Sequence, residues 1–176
     1  MRIVAGELGG RRLHAPAGAG TRPTADRVRE ALFSILGDVS GLSVLDLFAG
    51  SGALGIEALS RGAASAEFVD SARRSVEAVR RNLAELEIDA AVHRRDAVAW
   101  LAGAPAGRAY DLVFCDPPYD CATLLAETLA ERLPAVLSED ARIVTESDKR
   151  APLELPFPLL RERTYGDTRI AVHGGR

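Results

Sequence analysis

Short apolar segments alternate with longer segments of helical periodicity through most of the chain. The apolar segments are nearly uninterrupted, as expected of strands buried on both faces of a sheet. The predicted strands are residues 44–48, 66–70, 90–93, 111–115 and 142–145. Apolar residues three and four positions apart predict helices at 25–36, 53–61, 72–86, around Trp100, and at 123–133. This alternation is typical of an α/β fold with a parallel, doubly wound sheet.

The two ends of the chain depart from this alternation. Residues 2–5 and 11–14 flank a glycine-rich turn, which predicts an N-terminal β-hairpin. Near the other end, residues 159–163 and 169–173 flank a second turn without an intervening helix. Strands joined in this way run antiparallel, so we expect the sheet to end in an antiparallel strand.

The composition is that of a soluble globular protein. The 176 residues are 47% hydrophobic, which is enough for one domain with a substantial core. No apolar run approaches the ~18 residues of a membrane span, and no hydrophobic segment follows the N-terminal arginine as in a signal peptide. The two cysteines indicate no disulfide framework. We expect a monomeric, cytoplasmic protein that binds no membrane and requires no metal.

Charge is distributed unevenly along the chain. The net charge is −3, but the first 36 residues carry six arginines against three acidic residues. A basic segment on an otherwise acidic chain indicates a surface for phosphate groups, such as those of RNA. An arginine-rich composition throughout, with 21 arginines and one lysine, explains the same residues without such a role. The candidate RNA-binding residues are Arg2, Arg11, Arg12, Arg27 and Arg29.

Residues 44–55 combine a buried strand, a glycine turn and the start of a helix. This arrangement is typical of nucleotide sites, because glycines let a ligand approach the backbone closely. The GxGxxG spacing of this segment also matches a dinucleotide site, with Asp70 at the distance of its ribose ligand. Asp46 argues against that interpretation, since a carboxylate below the turn disfavours a pyrophosphate. It suits a cationic or amino-bearing ligand, or it orients the backbone N–H groups of the turn.

Acidic residues fall at or near the ends of four predicted strands: Asp46, Asp70, Asp96 and Asp116. Parallel strands end at one edge of a sheet, which is where ligands bind in open α/β folds. The Asp70 carboxylate can accept both hydroxyl groups of a ribose. Asp96 opens the helix after the third strand, where it can act as an N-cap, bind an adenine amino group, or do both.

Residues Asp116-Pro117-Pro118-Tyr119 supply the groups that activate an amine. The amino group of a nucleobase is a weak nucleophile because its lone pair is delocalised into the ring. The Asp116 carboxylate and the Pro117 carbonyl can accept its two N–H groups and direct the lone pair toward a methyl donor. The prolines hold that carbonyl in place. Tyr119 offers a flat face for stacking a base that has been flipped out of its nucleic acid.

These motifs resemble those of S-adenosylmethionine-dependent methyltransferases that act on exocyclic amines. Residues 2–13, 22–30 and 48–55 narrow the resemblance to the RsmD family, which methylates N2 of guanine 966 in 16S rRNA. The resemblance implies a Rossmann-like class I methyltransferase whose sheet is seven-stranded and mostly parallel, with an antiparallel last strand. It also implies an RNA-facing β-hairpin extension over residues 1–20 and a methyltransferase domain over 21–176.

The resemblance carries specific roles over to this chain. The cofactor is S-adenosyl-L-methionine, and the substrate is 16S rRNA in the small ribosomal subunit or an assembly intermediate. The implied catalytic residues are Asp116, Pro117, Pro118 and Tyr119. The implied cofactor-binding residues are Arg22, Thr24, Asp46, Phe48, Gly50, Ser51, Gly52, Asp70, Asp96 and Ala97.

Two other kinds of function remain open from the residues. One is a methyltransferase for another amine: adenine N6, cytosine N4 or protein glutamine. The chain has little room for a DNA target-recognition domain, and its basic N-terminal segment favours RNA over a protein substrate. The other is a non-catalytic RNA-binding factor of ribosome assembly, against which the glycine turn and the strand-end acids argue.

Overall fold

A computed structural model describes residues 1–16, 26–104, 107–117 and 122–175. Seven strands, β1 to β7, lie at Ser43–Leu47, Ser65–Asp70, Ala91–Arg94, Tyr110–Cys115, Leu137–Asp148, Leu159–Tyr165 and Thr168–Gly174. Five helices, α1 to α5, lie at Asp26–Leu36, Ala53–Ser60, Arg73–Leu86, Ala97–Ala102 and Ala122–Arg132. A short 3₁₀ helix, Leu133–Val136, connects α5 to β5. None of the described helices is long and apolar enough to cross a bilayer.

All seven strands form one sheet in the order β3-β2-β1-β4-β5-β7-β6. Within the group β1 to β5, all paired strands run parallel. Strand β7 is antiparallel to both β5 and β6. The predicted seven-stranded, mostly parallel sheet with an antiparallel last strand is therefore confirmed.

Strand β5 is longer than the four residues predicted for it. It continues through Glu146 to Asp148, where it pairs with Ile170 to Thr168 of β7. These last residues are polar, so the apolar pattern ends before the strand does. Their backbone hydrogen bonds to β7 extend the strand, and a local pattern cannot reveal that pairing.

The sheet is covered on both faces, as a doubly wound fold requires. Neighbouring residues of a strand point to opposite faces, so Val44 packs in one core and Leu45 in the other. The first core contains Phe33 of α1 together with Phe114 of β4, whose rings lie 5.9 Å apart. The second core lies against α4 and α5.

The N-terminal segment, residues 1–16, forms the predicted hairpin in a short form. Its two arms meet in a single antiparallel bridge, Arg2 with Arg12, instead of forming two regular strands. The backbone N–H groups of Val4 and Ala5 donate to the Glu57 carboxylate of α2, at 2.7 and 3.0 Å. Across the hairpin, the Ile3 N–H donates to the Arg11 carbonyl at 2.9 Å and the Leu13 N–H donates to the Met1 carbonyl at 3.1 Å. The predicted hairpin is therefore present, and α2 holds its first arm.

Candidate active site

Strand β1 ends in a tight turn that leads into α2. Three residues of the turn have left-handed backbone conformations: Phe48 (φ 63°), Gly50 (φ 57°) and Gly52 (φ 77°). This conformation is ordinary for glycine but strained for phenylalanine, and strain of this kind is concentrated at functional sites. The sequence identified the segment but gave no sign that Phe48 is held in this conformation.

The Asp46 carboxylate is buried beneath this turn, with 2% of the residue exposed. Its Oδ2 accepts a hydrogen bond from the Gly55 N–H at 3.0 Å. A side chain at Gly55 would bring a Cβ within 2.4 Å of the Phe68 ring, so glycine is required for this approach. Burial, and to a lesser degree the charge of Asp70, raises the pKa of Asp46 to about 8. A carboxyl in this state is stabilised as an anion when a cationic ligand binds next to it.

Asp70, at the end of β2, binds the same turn from the neighbouring strand. One of its oxygens accepts the Gly50 N–H at 2.8 Å, and the other accepts the Ala72 N–H at 2.8 Å. Each carboxylate oxygen can accept two hydrogen bonds, so capacity remains for ribose hydroxyls. The proposed ribose contact stays a prediction, and the bond to Gly50 is a second function that sequence reasoning did not assign.

Asp96 is the N-cap of α4. Its Oδ1 accepts the Ala99 N–H at 2.9 Å, which confirms the N-cap interpretation. Asp96 is exposed and the following residue, Ala97, is buried. The predicted roles of these two residues toward an adenine ring stay predictions.

Asp116 and Pro117 directly follow β4, at the edge where Asp46 and Asp70 lie. Asp116 is partly buried. Its pKa lies well above the ordinary value because of burial first, then the charges of Glu146 and Asp46. A carboxylate with a raised pKa is a better proton acceptor. The predicted site residues Pro118, Tyr119, Arg22 and Thr24 lie outside the described residues.

Glu146 is a residue of this edge that sequence reasoning missed. Cys115 of β4 pairs with Thr145 of β5, so Asp116 and Glu146 stand one residue further along two adjacent strands. They therefore lie on the same face of the sheet, and Glu146 is 6% exposed. The sequence did contain a signal for Glu146, because it directly follows the predicted strand 142–145, just as Asp116 follows the predicted strand 111–115.

Asn82 of α3 supports the turn from behind, and no motif pointed to it. Its Nδ2 donates to the carbonyls of Ser51 and His14 at 2.9 and 3.0 Å, and its Oδ1 accepts the His14 N–H at 2.7 Å. The Ser51 hydroxyl is directed at Met1, 3.3 Å from the sulfur. The N-terminal segment therefore packs directly against the candidate cofactor turn. The predicted cofactor contact of Ser51 stays a prediction.

Of the arginines predicted to bind RNA, Arg29 is incompatible with that role. Its side chain is fully buried, and its Nη2 donates to the carbonyl of Arg2 and to Asp26. The prediction for Arg29 was wrong because the residue lies on the buried face of α1. Arg2, Arg11, Arg12 and Arg27 are exposed, and their RNA contacts stay predictions.

The strand order, the glycine turn after β1 and the acidic strand ends define a class I methyltransferase fold. The family described as "Conserved hypothetical protein 95" matches residues 1–174. The chain belongs to this family, which is the RsmD family that its motifs indicated.

Individual relatives resemble the chain over much of its length. It is 42% identical over 186 residues to YlbH of Bacillus subtilis, provisionally named an rRNA methyltransferase, with 100% of both chains covered. It is 44% identical over 131 residues to Ribosomal RNA small subunit methyltransferase D of Escherichia coli K12, covering 73% of this chain and 65% of that protein. The structure of yhhF from Escherichia coli, provisionally named a methyltransferase, has a TM-score of 0.83 at 36% identity, covering 99% of this chain and 97% of that one.

Proposed function

We propose that this protein transfers a methyl group from S-adenosyl-L-methionine to the N2 amine of a guanine in 16S rRNA. Family membership, the names of the full-length and partial relatives, and the class I fold support an rRNA methyltransferase of the small subunit. The paired carboxylates Asp116 and Glu146 are the observation that favours guanine among the possible bases.

The residues around the β1 turn fit the proposed cofactor. When bound, S-adenosyl-L-methionine supplies an electrophilic methyl group on a positively charged sulfur. Asp46 offers a buried carboxylate whose pKa is raised by burial and, to a lesser degree, by the charge of Asp70, so a bound cation would favour its ionised form. Asp70 would bind the ribose hydroxyls while holding Gly50, and Asp96 would bind the adenine amino group at the start of α4.

Asp116 and Pro117 would act on the amine of the base. The Asp116 carboxylate accepts one N–H and the Pro117 carbonyl accepts the other, which turns the nitrogen lone pair toward the methyl group. After transfer the nitrogen carries one proton too many. The raised pKa of Asp116 makes this carboxylate a suitable acceptor for that proton.

Glu146 would recognise the atom that distinguishes guanine. Guanine presents an N1–H donor beside its N2 amine, whereas adenine and cytosine present an acceptor nitrogen beside theirs. A carboxylate only accepts hydrogen bonds when ionised. Asp116 and Glu146, on one face of adjacent strands, therefore match the two neighbouring donors of guanine.

In vitro methylation of small subunits from a strain lacking the native enzyme tests the reaction. We expect labelled N2-methylguanosine at one position, mapped by mass spectrometry, with guanine 966 as the position that the family resemblance implies. Label on adenine N6, cytosine N4 or a ribosomal protein would overturn the guanine assignment. Calorimetry that finds no S-adenosyl-L-methionine binding at millimolar concentration would favour a non-catalytic assembly factor.

A base analogue tests the role of Glu146 separately. Subunits reconstituted with 2-aminopurine at the mapped position keep the amine, lack the O6 carbonyl, and carry an acceptor nitrogen in place of the N1–H. The wild-type protein should methylate guanine at least about a hundredfold faster, because the analogue presents an acceptor nitrogen to a carboxylate that itself accepts. Glu146→Gln, whose amide can donate to that nitrogen, should reduce the preference. An unchanged preference would remove Glu146 from base recognition.

A further inference from the structure

A cavity of about 240 Å³ lies between α1 and the edge strand β6, away from the glycine turn. It is lined by Ser34, Ile35, Arg161 and Arg163. Arg161 and Arg163 are two residues apart on β6, so their side chains emerge on the same face of the sheet. The proposed methyl transfer uses neither arginine.

These two arginines carry positive charge that the described residues do not neutralise. Neither guanidinium forms an ion pair within the described ranges, and Arg163 Nη1 donates only to the carbonyl of Glu162 at 2.9 Å. Glu162, between them in sequence, points to the other face of the strand and binds Arg169 at 3.0 Å. Glu162 is therefore paired on the face away from the cavity, and the face toward the cavity carries only the two arginines of this pair of positions.

Helix α1 adds a third arginine to the same surface. Arg27 is exposed and lies two helical turns from Ser34, which places both on one side of the helix. Glu30 is the acidic residue nearest that side of α1, so the three arginines remain in excess. The result is a basic strip running from the start of α1 to the cavity at β6.

The register of the sheet relates this strip to the candidate active site. Glu146 of β5 pairs with Ile170 of β7, and Ile170 pairs with Arg163 of β6. Arg163 is therefore level with Glu146 on the same face, two strands away, which corresponds to about 10 Å. Arg161 is level with Val144 by the same pairing and lies further from the edge. Nucleotides flanking a base bound at Asp116 would pass over this region.

We propose that Arg161 and Arg163, together with Arg27, bind backbone phosphates of the RNA strand next to the target nucleotide. The inference rests on the proposed function, since it takes RNA as the substrate. Guanidinium groups suit this ligand because their planar N–H groups match two phosphate oxygens at once. A base held outside its stack needs its backbone fixed on at least one side, and this strip supplies that support.

The test compares Arg161→Ala/Arg163→Ala with the control Arg80→Ala/Arg132→Ala, which removes the same charge from α3 and from the end of α5. Binding to unmethylated small subunits and to protein-free 16S rRNA is measured from low to moderate salt. The test variant should bind about tenfold more weakly and lower the slope of log K against log salt by about 1.5 to 2. Affinity for S-adenosyl-L-methionine should stay unchanged, and the control should behave as wild type.

Three results would overturn the inference. The first is wild-type binding and salt slope in the test variant, and the second is an equal loss in the control. The third is weaker binding to small subunits together with unchanged binding to protein-free rRNA, which would assign the arginines to a contact with a ribosomal protein. If the wild-type protein bound RNA through these arginines but transferred no methyl group, the proposed function would fail while the phosphate site stood.

Discussion

Two buried carboxylates on consecutive elements, Asp46 on β1 and Glu57 on α2, have opposite surroundings. Glu57 is fully buried and accepts the N–H groups of Val4 and Ala5 and the Nε–H of Arg61, the last at 2.8 Å. Asp46 is 2% exposed, accepts the Gly55 N–H at 3.0 Å, and lies near the charge of Asp70.

The difference separates a structural carboxylate, Glu57, from the carboxylate that the proposed function assigns to the cofactor, Asp46. Glu57 finds its cation and its donors inside the chain, so it fixes the N-terminal segment to α2. Asp46 is buried and lies near the negative charge of Asp70, and both effects raise its pKa, to about 8. A buried carboxyl is expensive to ionise unless paired. We call Asp46, Asp116 and Glu146 the edge carboxylates, and Glu57 and Ser60 the junction residues.

The largest expected effect is on catalysis at the edge carboxylates. Asp116→Ala should lower methyl transfer about a thousandfold, because one acceptor of the amine and the proton acceptor are both lost. Single-turnover rates and calorimetric affinity for S-adenosyl-L-methionine measure this, and the affinity should change less than about threefold. Asp116→Asn, which keeps one acceptor oxygen, should lose less. Full activity in Asp116→Ala would exclude this residue from the mechanism.

A junction residue should instead affect stability. Glu57→Ala should lower the free energy of unfolding by about 3 kcal/mol, since it leaves two partly buried N–H groups and Arg61 without their acceptor. Urea denaturation measures the loss. The matched control is Glu77→Ala, which removes an exposed glutamate bound to Arg73 at 2.7 Å and should cost less than about 0.5 kcal/mol. Equal losses would contradict the distinction between the two carboxylates.

Asp46→Asn should move stability and ligand binding in opposite directions. The folded protein retains the Asp46 proton up to pH about 8, whereas the unfolded chain releases it near 3.8, so the stability from this group falls as pH rises between those values. The cofactor-free variant, which has no such titration, should therefore be the more stable protein at pH 8. Its affinity for S-adenosyl-L-methionine should fall about tenfold.

The same carboxyl predicts a pH dependence of wild-type cofactor binding. Because only the ionised form attracts a cation, affinity should rise from pH 6 to 8, with proton uptake by the buffer seen in calorimetry. Asp46→Asn should lose this part of the dependence. A variant that keeps the full wild-type pH profile would show that another group is responsible.

The smallest expected effect concerns a neutral junction residue. The Ser60 hydroxyl accepts the Leu8 N–H at 3.0 Å and donates to the Ala5 carbonyl at 2.6 Å. Ser60→Ala should cost about 1 kcal/mol of stability in urea denaturation and leave cofactor affinity unchanged. Ser40→Ala, at an exposed serine, should be nearly neutral. A change in cofactor affinity for Ser60→Ala would mean that the junction also shapes the site.

The helices and strands could largely be predicted because burial leaves local patterns. The parallel strands β1, β2 and β4 are buried over most of their length and form apolar runs. The position of Asp96 before α4 made an N-cap one of its two predicted roles. The buried face of α1 was harder, because Arg29 lies on it together with Leu32, Phe33 and Leu36. The buried position of Arg29 is explained by its hydrogen bonds to Asp26 and to the carbonyl of Arg2 in the distant N-terminal segment.

The amino-acid pattern was enough to predict the α/β class, the glycine turn and most of the acids at the strand ends. These features depend on residue type, short spacing and the order of elements along the chain. Three features became visible only in the folded chain: Glu146 lies on the same face as Asp116, Asp70 binds the Gly50 N–H, and the N-terminal segment binds α2. Each of these features depends on contacts between segments far apart in sequence. A backbone N–H group has several possible acceptors in the chain, and only the packing of the segments selects the one that it binds.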